Sequence, residues 1–374
     1  MQKKKWCDIM LLLMFSQVVQ HIDQGFKLNG KRSFVRYAFL LKPHANVRYR
    51  QSLQKLALLE LECMLQAWGM EDSSPRITNI AQEPFLTFET QRMTDEAWKE
   101  ISRHSAVCLA AEQSDNDLLR PLERNVQGFL PDELPHVLKY KGKTTADFTA
   151  MMLHCARAAS DFAKTQEPLR VLDPMCGKGT TLFCALCEGN DAIGVDMDHK
   201  ALQETDTYLQ RSFKIHRIKH KRSEQSRTLQ GGGSARATAY AMAADAQAMK
   251  DGQTRSLELI HGDSARLKEM VKPGSVHLIV SDLPYGVQHA PREGSGLSSL
   301  GRLIARVAPG CVSALKPGGA LAFSFNINTL RRREVVQVLQ EAGLQVLQEH
   351  PYADFSHWVE QAVERDIVIA RKEG

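Results

Sequence analysis

The pattern of hydrophobic and polar positions differs between the two parts of the chain, and the boundary between the two patterns lies at about residues 131–143. In the first part, the spacing of apolar residues predicts strands at 34–41 and 106–110, a strand-rich stretch at 76–89, and helices at 51–68 and 94–104. The first helix has an apolar stripe at helical spacing, made of Leu53, Ala57, Leu61, Met64 and Trp68. This order of elements is typical of a ferredoxin-like α+β unit, a fold that hosts many unrelated functions.

After residue 168, the apolar residues come in short runs without polar alternation. The runs that we interpret as strands are 169–172, 192–195, 257–261, 276–280 and 320–325. Most of them are followed by a helical segment, and strands buried on both faces with crossover helices form a parallel sheet. The chain ends differently, because 344–349 and 367–370 are predicted to pair as an antiparallel hairpin.

A chain of 374 residues is long enough for two domains, each with its own core. We divide it into an N-terminal extension (1–30), an α+β domain (31–130), a linker with a lead-in helix (131–168) and an α/β domain (169–374). Within the last domain, residues 223–237 contain three consecutive glycines among Ser, Thr and Gln residues. They predict a flexible surface loop.

Composition excludes several classes of protein. With 43% hydrophobic, 24% charged and 7% aromatic residues, the chain is neither disordered, nor collagen-like, nor a membrane protein. The longest apolar run, 9–15, is too short to span a bilayer, and no small-residue cleavage site follows the lysines before it. We therefore expect a cytoplasmic protein without membrane association.

The eight cysteines are scattered, and their spacing indicates neither a disulfide framework nor a zinc ribbon. Cys184 and Cys187 form a single CxxC pair inside a predicted helix at 181–188. Two small buried apolar residues on one helix face explain this pair better than a metal site does. We predict no metal.

The positive charge of the chain is concentrated in one segment. Seven Lys and Arg residues lie against one Glu between Arg211 and Arg227, whereas the whole chain has a net charge of +5. The segment is either a solvated helix end or a patch that contacts phosphates. If the rest of the chain acts on a nucleic acid, the candidate RNA-binding residues are Lys214, Arg217, Lys219, Lys221 and Arg222.

A glycine-containing loop joins the first strand of the α/β domain to the following helix. It has the sequence Asp-Pro-Met-Cys-Gly-Lys-Gly-Thr-Thr over 173–181. Glycines let the backbone approach a ligand closely, and the helix N-terminus offers unpaired N–H groups. The loop is not a Walker A motif, because Gly179 follows Lys178 and position 172 is Leu. It also lacks the third glycine of the dinucleotide fingerprint, since position 182 is Leu.

The next two strands are each predicted to end in an acidic residue. Asp196 can accept hydrogen bonds from both hydroxyls of a ribose, and Asp263 lies where an adenine amino group would fall. A strand-end Asp is common as a helix cap, so each acid alone is weak evidence. Together with the loop, they indicate an adenosine-containing ligand whose phosphate-free tail, such as methionine, lies near the glycines.

The fourth strand ends in Asp282-Leu283-Pro284-Tyr285, which suits the methylation of an exocyclic amine. The nitrogen must be oriented, because its lone pair is delocalised into the base. The Asp282 carboxylate can accept one N–H and the Leu283 carbonyl, held by the following proline, can accept the other. Tyr285 supplies a flat face for the base. The simpler alternative is a strand-to-loop turn with a capping Asp and a core Tyr.

These motifs, together with Tyr-Lys-Gly-Lys-Thr at 140–144, resemble the THUMP-associated RNA methyltransferases that methylate guanine N2 in tRNA. Leu283 stands where the family usually has the first of two prolines. The resemblance implies a Rossmann-like class I methyltransferase sheet with a C-terminal antiparallel hairpin, an S-adenosylmethionine cofactor and an RNA partner, with tRNA expected. It also makes the α+β domain at 31–130 a candidate RNA-docking domain. It implies cofactor binding by residues of the loop and of the next two strand ends: Asp173, Pro174, Cys176, Gly177, Gly179, Thr180, Asp196, Met197, Asp263 and Ser264.

Two other functions remain open from the residues alone. The same amine chemistry serves DNA adenine-N6 and cytosine-N4 methyltransferases. A catalytically silent RNA-binding scaffold could also keep this fold, and binding of S-adenosylmethionine would distinguish it from an enzyme.

Overall fold

The computed structural model describes residues 34–44, 47–114, 118–125, 128–137, 144–284 and 297–374. The predicted N-terminal extension, 1–30, lies outside these residues. Within the described residues, no helix combines the length and the apolar character needed to cross a membrane.

The first part of the chain forms a five-stranded antiparallel sheet with the strand order β2-β3-β1-β4-β5. Its elements are β1 (Phe34–Leu41), α1 (Val47–Ala67), a 3-10 turn (Glu71–Ser73), β2 (Arg76–Ile80), β3 (Glu83–Gln91), α2 (Asp95–Ile101), β4 (Val107–Gln113) and β5 (Leu119–Leu122). The expected strands and helices are confirmed to within a few residues, and β5 was not expected. The ferredoxin-like assignment itself stays a prediction.

Helix α1 has two buried faces. Ala57, Leu61 and Met64, from the predicted stripe, pack in the core under the five-stranded sheet. Leu59 and Cys63 are buried in a second core, which they share with the larger part of the molecule. Because one helix contributes to both cores, it joins the two parts of the chain.

A buried ionic network lies at this junction. Glu60 of α1 is fully buried and its Oε1 lies 2.6 Å from Nδ1 of His154, while Nε2 of His154 lies 2.9 Å from Oε1 of Glu188. Ser105 donates to Glu60 from its backbone N–H at 2.9 Å and from its hydroxyl at 2.5 Å. His154 therefore contacts a carboxylate at each ring nitrogen, which suits a protonated imidazole.

The network changes the pKa values of its members in opposite directions. Burial opposes the ionisation of Glu60, but His104, His154 and Ser105 outweigh it and lower the pKa of Glu60 to about 2. Burial also opposes the protonation of His154, but Glu188 and Glu60 raise the pKa of His154 to about 10. Glu60 and His154 are therefore both charged at neutral pH.

The second part of the chain contains two leading helices and a ten-stranded sheet. In chain order, its elements up to residue 261 are α3 (Leu134–Val137), α4 (Ala146–Ala159), β6 (Arg170–Asp173), α5 (Thr180–Cys187), β7 (Asp191–Asp196), α6 (His199–Ile215), β8 (Lys219–Thr228), β9 (Ser234–Ala243), α7 (Ala246–Lys250) and β10 (Arg255–His261). A 3-10 turn (Ser264–Arg266), α8 (Leu267–Met270), β11 (Val276–Asp282), α9 (Ser299–Ala314), β12 (Leu315–Asn326), α10 (Arg332–Glu341), β13 (Gln345–Val346), β14 (His357–Glu360) and β15 (Val363–Arg371) follow.

The strand order is β13-β15-β12-β11-β6-β7-β10-β9-β8, with β14 pairing to β15. The five strands from β12 to β10 are parallel, as the apolar runs predict. The expected C-terminal pairing is also present, since β13 and β15 are antiparallel. The chain proceeds from β6 through β7 to β10 on one side and from β11 to β12 on the other. This places a topological switch point between β6 and β11, where α/β sheets bind ligands. The sheet is mixed, with five central parallel strands and antiparallel strands on both sides, and it fits a Rossmann-like α/β fold.

The predicted flexible loop at 223–237 is wrong. Most of it belongs to the hairpin of β8 and β9, which pair in register from Lys219↔Ala243 to Thr228↔Ser234. Only 229–233 form the turn, where Gly231, Gly232 and Gly233 all have positive φ. Strand β8 has no buried residue, so it has no hydrophobic alternation to reveal it.

Candidate active site

The predicted cofactor and catalytic residues meet in one cavity of about 500 Å³ at the switch point. The strands β6, β7 and β11 end there in Asp173, Asp196 and Asp282, as expected. Eleven of the predicted site residues line the cavity: Asp173, Cys176, Gly177, Thr180, Asp196, Met197, Asp263, Ser264, Asp282, Leu283 and Pro284. Pro174 and Gly179 are not among the residues that line it, and Tyr285 lies outside the described residues.

The loop after β6 takes its shape from two glycines and a buried acid. Gly177 and Gly179 have φ values of +49° and +80°, which other residues rarely adopt. Gly179 is the N-cap of α5, and a β-carbon there would lie 3.2 Å from a methyl group of Thr205. Gly179 therefore shapes the loop without lining the cavity. Pro174 accepts a hydrogen bond from the Ser264 hydroxyl through its carbonyl, which fixes the loop to the turn after β10.

Asp173 is almost fully buried at the bottom of this loop. Its Oδ1 accepts hydrogen bonds from the Ser281 hydroxyl at 2.7 Å and from the Met175 N–H at 3.0 Å. Burial raises the pKa of Asp173 to about 7, against the opposing effect of these hydrogen bonds. A cationic ligand in the cavity would favour the ionised form of this acid.

Asp196 has two roles in the structure. Its Oδ2 accepts from the Gly177 N–H at 2.7 Å and its Oδ1 from the Asp198 N–H at 2.8 Å. Each carboxylate oxygen can accept a second hydrogen bond, so a pair of hydroxyls can still bind. Asp196 thus holds the glycine loop and also faces the cavity. Met197, beside it, is 66% exposed.

Asp263 follows β10 by two residues instead of ending the strand, because β10 ends at His261. Its carboxylate accepts from the Ala265 N–H at 2.9 Å and forms an ion pair with Arg306 at 3.2 Å. It therefore caps the 3-10 turn that begins at Ser264. Because Asp263 also lines the cavity, it stays a candidate contact for the ligand.

Asp282 is held by two hydroxyl groups that the sequence did not mark as site residues. Thr144 donates to its Oδ2, and Ser324 donates to its Oδ1 at 2.7 Å. Leu283 is buried and its N–H donates to the Ser324 carbonyl at 2.9 Å, whereas Pro284 is exposed. The only signal for these partners was that Thr144 belongs to the 140–144 segment and that Ser324 lies in a predicted strand.

The basic segment runs from the end of α6 onto β8, and the structure does not bring it to the cavity. Lys214 lies in the last turn of α6, Arg217 follows that helix, and Lys219, Lys221 and Arg222 lie on β8. Lys221 pairs with Ala241 of β9, and Ala241 pairs with Ser256, near the start of β10. The cavity lies beyond the other end of β10, which is His261. This offset of five residues is about 17 Å along the strand. Arg222 is also paired, with Asp206 at 3.1 Å and Glu224 at 2.7 Å.

The CxxC pair lies in α5, as expected, with both thiols buried. Cys184 and Cys187 contact the backbone carbonyls of Ala146 and Pro131. Among the residues with described positions, no group of three or more His, Cys, Asp and Glu side chains is arranged to hold a metal ion.

Comparison with protein families matches residues 144–327 to UPF0020, described as an RMKL-like methyltransferase domain. The match covers just under half of the chain and includes every residue described above as lining the cavity. This segment is therefore similar to a methyltransferase domain, and the cofactor of such a domain is S-adenosylmethionine. Association with a THUMP domain is not part of this match and stays a prediction.

No curated protein matches the sequence significantly. Among solved structures, an rRNA methylase from Streptococcus thermophilus is 12% identical, with 63% of this chain and 100% of that chain covered and a TM-score of 0.34. The 1,6-didemethyltoxoflavin-N1-methyltransferase of Burkholderia thailandensis, solved with S-adenosylhomocysteine, is 12% identical, with 61% and 78% covered and a TM-score of 0.35. A TehB-like SAM-dependent methyltransferase from Corynebacterium glutamicum is 12% identical, with 60% and 87% covered and a TM-score of 0.33. Likenesses this weak carry no argument about function.

Proposed function

We propose that the protein methylates an exocyclic amino group of a nucleobase in RNA, with guanine N2 in tRNA as the expected target. One observation supports this most: Asp282 and Leu283 line the same cavity as the predicted cofactor residues Asp173 and Asp196. An amine acceptor and a methyl donor would therefore meet within one cavity. The choice of RNA and of guanine rests on the resemblance of the motifs at 140–144, 173–181 and 282–285.

In this proposal the chain contributes alignment. Bound S-adenosylmethionine supplies an electrophilic methyl group on a sulfonium sulfur. The Asp282 carboxylate accepts one N–H of the target amine and the Leu283 carbonyl accepts the other, which directs the nitrogen lone pair out of the plane of the base. The N–C bond forms as the C–S bond breaks, and the amine then loses one proton to solvent. No strong base is needed, and alignment can supply on the order of 7 to 11 kcal/mol of the barrier.

Asp173 and Asp196 hold the donor in this proposal. Asp196 offers its remaining acceptor capacity to the ribose hydroxyls, and Asp173 offers negative charge to a cationic ligand. Tyr285 is proposed to stack on the target base. A cytoplasmic location agrees with a tRNA substrate and stays a prediction.

The test is mass spectrometry of tRNA nucleosides from cells with and without the gene. We expect N2-methylguanosine to fall in the deletion strain and to return with the wild-type gene but not with Asp282→Ala. Asp251→Ala, an exposed carboxylate at the end of α7, is the matched control and should restore the modification. Unchanged tRNA together with a loss of N6-methyladenine or N4-methylcytosine from DNA would contradict the proposal.

A further inference from the structure

Both oxygens of the Asp282 carboxylate accept hydrogen bonds from side-chain hydroxyls. Ser324 lies on β12, directly opposite Asp282 in the parallel pairing of β11 and β12, and its Oγ lies 2.7 Å from Oδ1. Thr144 lies two residues before α4 and donates to Oδ2. Thr144 and Ser324 come from different elements, so they hold the carboxylate from two directions.

Ser324 also holds the second acceptor of the proposed amine site. Its backbone carbonyl accepts the Leu283 N–H at 2.9 Å, while its side chain donates to Asp282. Leu283 is 1% exposed and Ser324 is fully buried. One residue of β12 therefore fixes the position of both groups that would accept the N–H bonds of the target amine.

The Thr144 hydroxyl is itself oriented. Thr144 is buried, and the guanidinium of Arg365 on β15 donates to its oxygen at 3.5 Å. Because the Thr144 oxygen accepts this hydrogen bond, its single hydrogen can be donated to Asp282. Arg365 in turn lies over the ring of Phe148 in α4, 4.5 Å from its centroid. The lead-in helix and the C-terminal strand thus both support the orientation of Asp282.

We infer that Thr144 and Ser324 are positioning residues that fix the rotation of the Asp282 carboxylate, so that it meets the target amine in one geometry. This inference rests on the proposed function. The terminal torsion of an aspartate is broad, so an unsupported carboxylate would sample many orientations. Positioning of a reacting group by neighbouring hydrogen bonds contributes to rate when the group must meet its partner in one geometry.

The experiment compares the isosteric variant Thr144→Val with Thr144→Ser, which keeps the hydroxyl, and adds Ser324→Ala, which keeps the backbone carbonyl. The acceptor is tRNA purified from the deletion strain and the donor is radiolabelled S-adenosylmethionine. We expect Thr144→Val and Ser324→Ala each to lower kcat about ten-fold. The KM for tRNA and the Kd for the donor should change less than two-fold, and Thr144→Ser should recover most of the rate.

Thr207→Val is the control, because Thr207 is an exposed threonine of α6 whose hydroxyl donates to the Gln203 carbonyl, away from Asp282 and from the glycine loop. Its kcat should stay at the wild-type value. A crystal structure of the Thr144→Val/Ser324→Ala protein provides a readout that needs no substrate. We expect the Asp282 carboxylate to turn or to occupy several orientations. If the double variant does not fold, the structures of the two single variants give the same information.

The outcomes separate this inference from the proposed function. If Asp282→Ala keeps wild-type activity, or the wild-type protein does not methylate tRNA, the proposed function fails and the carboxylate orientation in the crystal decides the inference. If Asp282→Ala is inactive while Thr144→Val and Ser324→Ala keep full kcat and an unchanged carboxylate, the inference is overturned and the proposed function stands.

Discussion

Two carboxylates of this protein, Asp282 and Glu60, are each held by several hydrogen-bond donors, yet they have different surroundings. Asp282 accepts hydrogen bonds from the hydroxyls of Thr144 and Ser324 and lines an open cavity. Glu60 is fully buried and contacts a protonated histidine. The Glu60 carboxylate lies against a histidine cation inside the protein, whereas the Asp282 carboxylate lines a cavity where a ligand can reach it. The difference predicts that one acid serves chemistry and the other stability.

The largest expected effect is on catalysis at Asp282. Asp282→Ala should reduce methyl transfer by at least about a thousand-fold, or ~4 kcal/mol, because the target amine loses its carboxylate acceptor. Its Kd for S-adenosylmethionine should stay close to the wild-type value, and its unfolding free energy should change by less than about 1 kcal/mol. Transfer of a radiolabelled methyl group, isothermal calorimetry and urea unfolding measure the three quantities. A large loss of unfolding free energy in Asp282→Ala would show that Asp282, like Glu60, serves stability, and it would contradict the comparison.

Glu60→Gln should show the reverse pattern. The amide can still accept from Ser105, but His154 loses one of its two carboxylates, and removing one partner of a buried pair costs about 3 kcal/mol of unfolding free energy. At a temperature where the variant is folded, methyl transfer should stay within about two-fold of the wild-type rate. Urea unfolding and the transfer assay test both parts, and Glu133→Gln, an exposed acid, is the control. Equal stability of the variant and the wild-type protein would contradict the role of the network.

Asp196 lies between the two extremes, because it holds the glycine loop and also lines the cavity. Asp196→Ala should weaken binding of S-adenosylmethionine by about 2 kcal/mol through the loss of hydrogen bonds to a charged group. Asp196→Asn keeps one oxygen that can accept a hydrogen bond from the glycine loop. Compared with Asp196→Ala, it should restore the unfolding free energy more fully than the affinity for S-adenosylmethionine. Calorimetry on both folded variants is the measurement. An unchanged Kd in Asp196→Ala would exclude Asp196 from the cofactor site.

The pH dependence of stability sharpens the comparison further. The lowered pKa of Glu60 means that its contribution is complete above pH 4.5 and is lost as pH falls towards about 2. The raised pKa of His154 means that its contribution is complete below pH 6.5 and is lost as pH rises through about 10. The stability difference between the wild-type protein and Glu60→Gln should therefore be greatest between pH 4.5 and 6.5. Urea unfolding at a series of pH values tests this, and a difference that is independent of pH would contradict it.

The smallest expected effect concerns the basic segment. Lys214, Arg217, Lys219 and Lys221, replaced together by Gln, should weaken tRNA binding modestly. They should also lower its salt dependence by roughly 0.7 to 0.9 for each phosphate that the variant no longer neutralises, with the Kd for S-adenosylmethionine unchanged. The alternative is that charges on β8 protect an exposed edge strand from pairing with another sheet. Binding isotherms across salt concentrations decide, since identical slopes would assign the segment to edge protection.

Much of the fold could be predicted because the parallel strands are buried on both faces and therefore form uninterrupted apolar runs. The ends of these runs also placed Asp173, Asp196 and Asp282 at one edge of the sheet, since carboxyl ends of parallel strands meet there. The prediction was wrong for the hairpin. Strand β8 depends on the backbone of β9 rather than on buried side chains, so its polar sequence resembles a loop.

The sequence by itself determined the order of the candidate site residues along the chain: a glycine loop, an acid proposed to bind a ribose and an Asp-Leu-Pro-Tyr motif, each following an apolar run. The tertiary structure decided which groups hold those residues in place. Thr144 and Ser324 are 138 and 42 residues from Asp282, and His154 is 94 residues from Glu60. Hydroxyl and imidazole side chains are common and have no periodicity that marks a distant partner. The packing of α1 and α4 against each other and the pairing of β12 with β11 bring these groups within hydrogen-bond distance.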